Sequence, residues 1–345
     1  MSMKSLALRA AAVVLASTFA APAVLAAQEV NLYTTREPAL IQPLLDAFTK
    51  DSGIEVRTIF IKSGLLERVR SEGERSPADV LMTVDIGNVL DLVGAGVTQP
   101  VHSKALEEVI PANLRGKDGQ WFTLSLRDRV LYADKNLPLT TFTYEELADP
   151  KWKGKVCIRS GQHPYNTALI AAMIAHNGPQ ATETWLEGVK QNLARKAAGG
   201  DRNVARDILG GICDIGIANA YYVGRMKNDK PGSEGRAWGD AIKVVRPTFA
   251  SNADGGTHVN ISGASLAKNS PNRDNAVRFL EYLISPEAQA IYANANYEYP
   301  VRAGVKVDPV MAALGPLKAD SLDLVEIAKH RKQASELVDK VGFDN

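Results

Sequence analysis

From residue 28 the chain alternates two hydrophobic periodicities, and this alternation limits its fold more than any other feature. "EVNLYTT" alternates apolar and polar residues as a half-buried strand does. "PALIQPLLDAFTKDSG" follows, with apolar residues at helical spacing and a stop at Gly53. "IEVRTIFI" reads as a second strand, "SGLLERVRSEGE" as a second helix and "ADVLMTV" as a third strand. A βαβαβ order of this kind predicts a parallel sheet with right-handed crossovers, and puts any ligand at the carboxyl ends of the strands.

A second α/β unit begins near "WFTLSLRDRVLYADK". There "TYEELADPKW" reads as a short helix, "GKVCIRS" as a strand, "NTALIAAMIAHNG" and "ATETWLEGVKQNLA" as helices, and "CDIGIANA" as a strand. "GTHVNISGASLAKNSP" then reads as an extended strand returning to the first unit, and the tail from Arg273 as almost wholly helical. A chain that starts in one lobe, crosses to another and returns predicts two doubly wound α/β domains joined by hinge strands, with a ligand cleft between them. The expected division is residues 27–125 plus 258–345 for the first lobe and 126–257 for the second.

The N-terminus predicts the compartment. Lys4 and Arg9 precede a run of small apolar residues interrupted by Pro22, and "VLA" offers a cleavage site after Ala26. This is the pattern of a secretory signal peptide over residues 1–26. The run is too short for a spanning helix, no later stretch reaches the roughly 20 apolar residues a bilayer requires, and no cysteine follows for a lipid anchor. Without Lys4 and Arg9 the chain has 38 basic against 39 acidic residues, a balance that speaks against a nucleic-acid or polybasic membrane partner. Cys157 and Cys213 are the only cysteines. Both sit in short apolar runs read as neighbouring strands, and an exported chain admits either a bridge or two buried thiols. Neither a CxxC redox motif nor a multi-cysteine zinc site is present.

Several segments carry a family resemblance: "NLYTTRE", "SPADVLMTVD", "WFTLSLRDRV", "LADPKWKGKVCIRSGQHPYN", "ANAYYVGRM", "GTHVNISGASL" and "FLEYLISPEAQAIYA". With them the chain resembles the periplasmic ferric-ion-binding proteins of bacterial ABC iron importers, a branch of the extracellular solute-binding superfamily with transferrin-like lobes. "SPADV" and "ISPEAQ" are widespread in the superfamily, whereas "SGQHPYN" followed by "NAYY" is specific to the iron-binding branch. The resemblance implies a periplasmic-binding-protein fold and tyrosine phenolates as metal ligands. Carried onto this sequence, those are Tyr165, Tyr221 and Tyr222. Relatives add a histidine or tyrosine after the first-strand turn, where this chain has Glu37 and Pro38. Others use a glutamate near the end of the "PADV" strand, where Val84 stands here with Asp85 one step on.

The chemistry agrees with the implied ligands. Fe(III) is a hard cation that favours anionic oxygen, and a bound cation lets a phenol, ordinarily neutral below about pH 10, coordinate as phenolate. Three phenolates balance the metal's charge and leave room for water or a bidentate anion such as carbonate. Arg127 and Arg129, two apart on a strand, face the same way. With Arg36 they are the guanidiniums expected to grip such an anion, Thr35 and Glu37 flanking Arg36; the plainer alternative is an ion pair with Glu37 or Asp128. The plainer reading of Tyr221 and Tyr222 is two aromatics packing at a strand end. Neighbours on a strand point to opposite faces, so both reach one metal only if the chain turns into a helix at "NAYY". Asn219 and Arg225 are then expected to support the pair. Tyr165 is expected just ahead of a helix capped by Asn166 or Thr167, with His163 as a rim residue or rival ligand, and His258 on the interlobe strand.

The expected function is capture of Fe(III), with carbonate or another synergistic anion, by a monomeric periplasmic protein that passes it to an inner-membrane ABC permease. Capture of a small organic anion or polyamine on the same fold is the alternative. An enzyme is not expected, since no nucleophile elbow, P-loop or HExxH sequence is present.

Overall fold

The computed structural model describes residues 28–252 and 254–345; the expected signal peptide, residues 1–26, lies outside them. The alternation that opens the sequence is realised as a parallel array. Strand β1 (Glu29–Thr34) pairs in parallel with β2 (Glu55–Phe60) on one side and with β3 (Val80–Thr83) on the other. The crossover helix Pro38–Ser52 starts with proline in its first turn, where the missing N–H costs nothing, and ends at Gly53 in the left-handed region, φ 72°. It buries Ile41, Leu44, Leu45 and Phe48 at three- and four-residue spacing. Phe48 meets Phe279 at 5.0 Å between ring centroids, tying this helix to Arg273–Leu283 from the tail.

Beyond two-residue β4 (Thr98–Gln99), the sheet continues through a strand that belongs to both halves of the molecule. Strand β5 (Phe122–Asp134) pairs over Phe122–Asp128 with β9 (Val259–Ala267), which pairs in turn with β3. Over Arg129–Ala133 the same strand pairs with β7 (Ile215–Asn219), and over Leu131–Asp134 with β8 (Ile242–Val245). Two-residue β6 (Val156–Cys157) lies parallel to β7 and ends the order β2-β1-β3-β9-β5-β7-β6. The parallel expectation therefore holds for β1–β3 and for β6 with β7, whereas β5, β8 and β9 run antiparallel to their neighbours. Strands β5 and β9 carry the chain between the halves, so they meet each other head to tail.

The tail departs from the wholly helical expectation. Helices Arg273–Leu283 and Pro286–Asn296 are followed by a largely irregular stretch to residue 323, in which β10 (Tyr299–Pro300) adds to β5. Proline at 300, 309 and 316 and glycine at 304 and 315 interrupt helical hydrogen bonding there. Helices Leu324–Lys329 and Arg331–Val341 then pack on Pro164–Asn177, and Leu337 and Val338 share a core with Leu169, Ile170, Leu186 and Val189. Cys157 and Cys213 form a disulfide. Only Cys157 is on a strand; Cys213 sits in the turn before β7, not on a strand as the sequence reading had it.

His258 stands where β9 begins, between the halves. Its backbone donates to the Tyr144 hydroxyl and accepts from Arg129 N–H, while neither buried ring nitrogen has a hydrogen-bond partner among the described residues. Burial, reinforced by Arg129 and opposed by Asp320, lowers its pKa from 6.5 to about 4. Between those values the unfolded chain binds the extra proton, so stability rises with pH and is lost on acidification. Unfolding in urea from pH 7 down to pH 4 should show this group contributing a loss on the order of 3 kcal/mol, and His258→Gln should flatten the slope. Parallel slopes for the two proteins would contradict it.

Candidate metal centre

Three phenols converge because two helices begin beside one another. Strand β7 stops at Asn219, Ala220 takes the cap position and Tyr221–Lys227 is helical. The turn brings both tyrosines to one side, their ring centroids 4.1 Å apart. Tyr165 is the second residue of helix Pro164–Asn177, which corrects the expected cap at Asn166 or Thr167. The helix starts earlier because Pro164 suits its first position and His163, at φ −68° and ψ 136°, caps it: His163 Nδ1 accepts from Tyr165 N–H at 3.2 Å. Tyr165 Oη then lies 3.4 Å from Tyr221 Oη.

Guanidiniums surround these phenols. Those of Arg127, Arg129 and Arg159 lie 5.3, 5.9 and 5.2 Å from the Tyr165 ring centroid, and that of Arg225 lies 5.6 Å from the Tyr221 ring. Arg127 donates to the carbonyls of Val84 and Ile261. Arg129 donates to Asp201 at 2.5 Å, Asn219 Oδ1 at 3.1 Å and Asn166 Oδ1 at 2.6 Å, and Arg159 donates to the other oxygen of Asp201 at 3.2 Å. Arg36 is paired, but with neither Glu37 nor Asp128: Glu298 receives it at 2.6 and 3.1 Å. Asp128 is taken by Arg246 at 2.9 Å. Four buried or nearly buried guanidiniums, of Arg36, Arg127, Arg129 and Arg159, thus face two buried carboxylates, Glu298 and Asp201, and two positive charges are left over.

This field alone does not ionise Tyr221 and Tyr222. Burial pushes Tyr221 well above its ordinary pKa, the neighbouring Tyr165 and Tyr222 adding to the effect and Arg127 opposing it. Tyr222 is raised too, by burial first and then by Tyr165 and Asp201. His163 is lowered to about 4, by burial and then by Arg159, so it is neutral at pH 7. Its ring meets Tyr165 edge-on at 4.6 Å.

The opposite wall comes from the first half. A cleft of about 430 Å³ runs between Thr35, Ser63, Val84 and Asp85 on one side and His163 and Tyr165 on the other. Thr35 Oγ1 is buried there without a hydrogen-bond partner among the described residues. Glu37 is exposed, precedes helix Pro38–Ser52 and does not line this cleft. Asp85 caps helix Ile86–Gly94, one oxygen accepting from Asn88 N–H at 3.2 Å and the other from Asn260 at 2.7 Å. Each oxygen thus accepts one bond, and Arg331 lies 3.8 Å from one of them. Among the described residues no cluster of three or more His, Cys, Asp or Glu side chains could hold a metal, so a metal here depends on phenol oxygen.

Sequence reasoning missed Arg159, Asp201 and Glu298. Arg159 lies within "CIRSGQHPYN", close enough to Tyr165 to have been noticed. Glu298 is 262 residues from its partner Arg36, with no local signal.

A family model described as bacterial extracellular solute-binding protein matches residues 75–319. Iron uptake protein A2 of Synechocystis sp. is 42% identical over 319 residues, 91% of this chain and 90% of that protein. The solved structure of a Bordetella ferric binding protein is 74% identical with a TM-score of 0.87, covering 92% of this chain and all of the other. A Trichodesmium protein solved in complex with iron and citrate is 43% identical with a TM-score of 0.85, covering 91% and 99% of the two chains. The two-lobed α/β fold is common to these structures and this chain.

The Arg36–Glu298 pair is only 5% and 2% exposed. Removing one partner of such a pair strands the other's charge, at a cost of about 3–5 kcal/mol. Glu298→Gln should lower unfolding free energy by that order in denaturant titration; a change below about 1 kcal/mol would show the pair to be solvated.

Proposed function

The chain belongs to the bacterial extracellular solute-binding protein family, and we propose that it is the exported binding component of an ABC importer, with Fe(III) as its cargo. The observation that supports this most strongly is the convergence of Tyr165, Tyr221 and Tyr222 inside a ring of arginines. Fe(III) prefers anionic oxygen, and the three phenols offer it without any thiolate or imidazole competitor except neutral His163. The phenols hold the metal as phenolates, their protons leaving as it enters.

The charges at the site favour a synergistic anion. Fe(III) with three phenolates is neutral, so the two surplus positive charges of the arginine ring call for a dianion such as carbonate, or for a polycarboxylate that shares the metal. The relative solved with iron and citrate supports this reading. Among the described residues Arg127 has no carboxylate partner, and it is the guanidinium best placed to receive the anion, with Arg36, Arg129 and Thr35 bordering it. His163 caps its helix and orients Tyr165. Asn219 braces Arg129, and Arg225 lies against Tyr221.

The lobes we infer follow the division 27–125 plus 258–345 and 126–257, with one revision: residues 332–345 move with the second lobe, on whose helices they pack, while Leu324–Lys329 and Arg331 bridge the lobes, touching both Pro164–Asn177 and Ile86–Gly94. Strands β5 and β9, together with the 297–323 stretch, are the hinge, and closure about the cleft is the motion expected of such a protein. Among the described residues no helix is long and apolar enough to cross a membrane. Residues 1–26 direct export to the periplasm, and a single copy of the chain carries the metal to an inner-membrane permease.

Fe(III) added as a weak chelate to the purified protein should produce an orange to red phenolate-to-iron charge-transfer band. Tyr221→Phe, Tyr222→Phe or Tyr165→Phe should each shift or abolish it, with affinity falling by more than the roughly 10- to 100-fold typical of residues outside the ligand shell. No colour, together with tight binding of an iron-free organic anion, would contradict the reading. Because the raised phenols enter the complex deprotonated, affinity at constant free Fe(III) should weaken as pH falls. A titration at pH 8 and pH 6 with matched metal buffering checks the direction.

A further inference from the structure

We propose that Asp201 is a positioning residue of this centre, fastening the two phenol-bearing segments to one another. The inference rests on the iron reading above. Asp201 opens helix Asp201–Leu209, and its carboxylate is fully buried. One oxygen accepts from Arg129 Nη1 at 2.5 Å and from Asn219 N–H at 2.8 Å; the other accepts from Arg159 Nη1 at 3.2 Å.

Each of these contacts leads to a phenol by a short path. Asn219 is the last residue of β7, two before Tyr221, so its N–H sets where that strand stops and the helix bearing Tyr221 and Tyr222 begins. Arg129 continues to Asn166 Oδ1 at 2.6 Å, and Asn166 is the neighbour of Tyr165. Asn166 in turn donates to the carbonyls of Arg159 and Ser160 at 2.9 and 3.1 Å, closing the network on the segment that leads into the Tyr165 helix. One carboxylate therefore fixes both helix starts and holds two guanidiniums within 6 Å of the Tyr165 ring. Its single negative charge answers only one of them, which preserves the positive surplus that the anion meets.

The fold supplies a control. Asp207, on the same helix, is also buried and pairs with Arg195 at 2.6 Å and Arg206 at 2.8 Å, and among the described residues neither arginine bonds to or stacks on a phenol. Asp201→Asn keeps the shape and removes the charge and one acceptor; Asp207→Asn does the same for the control.

The test measures Fe(III) affinity and the charge-transfer maximum of the full-length mature protein, the variants and wild type. Asp201→Asn should bind about 10- to 100-fold more weakly with a displaced maximum at saturating metal, while Asp207→Asn keeps the wild-type maximum and affinity. Should Asp201→Asn fail to fold, Arg159→Gln decides: the same displacement is expected, with an affinity loss of about 10-fold. A wild-type band left unmoved in Asp201→Asn, or in Arg159→Gln where that variant decides, overturns this inference alone, as does an identical displacement in Asp207→Asn. Absence of the band in the wild-type protein overturns the iron reading and this inference with it.

Discussion

Four guanidiniums share two carboxylates at the join of the two halves, and the surrounding structure is arranged to tolerate that imbalance. Buried charge is costly unless it is paired and hydrogen-bonded. Arg36 is held by Glu298 from the far end of the chain, and Arg129 and Arg159 by Asp201. Among the described residues Arg127 is held by two backbone carbonyls, those of Val84 after β3 and Ile261 on β9, and by no carboxylate. A site of this charge disfavours a bare cation; on the proposed reading it admits one together with phenolates and an anion.

Strand β5 makes this geometry possible. Its alternation puts Arg127 and Arg129 on one face, and its length lets one end pair with β9 and the other with β7. The guanidiniums are therefore placed where the halves meet, against a helix start from the second half and the carbonyl of Val84 from the first. Closure of the cleft would bring the Thr35 and Asp85 wall toward phenols that are already assembled. On the proposed reading the second half carries the ligand set and the first half completes the enclosure.

Much of this was readable from residue order. The βαβαβ pattern named the parallel strands, the spacing of Arg127 and Arg129 named their common face, and the change from strand to helix at "NAYY" explained how adjacent tyrosines reach one point. What escaped was set by distant contacts. Nothing near Arg36 announces Glu298, and Asp201 looks like any acidic residue at a helix start until β5, β6 and β7 are laid side by side. The helix start at Pro164 was misplaced for a local reason: histidine is not a usual cap, and its imidazole nitrogen does here what a serine or aspartate oxygen does elsewhere. The tail was misread because helical stretches on both sides masked the prolines and glycines between residues 300 and 316.

The central claim is that one metal ion is shared by three phenolates at this junction. Anomalous diffraction at the iron absorption edge, from crystals of the iron-loaded protein, tests it most directly. The account predicts a single peak within bonding distance of the hydroxyl oxygens of Tyr165, Tyr221 and Tyr222, with an anion between the metal and Arg127. A peak held instead by carboxylates elsewhere, or touching only one of the three tyrosines, would contradict it.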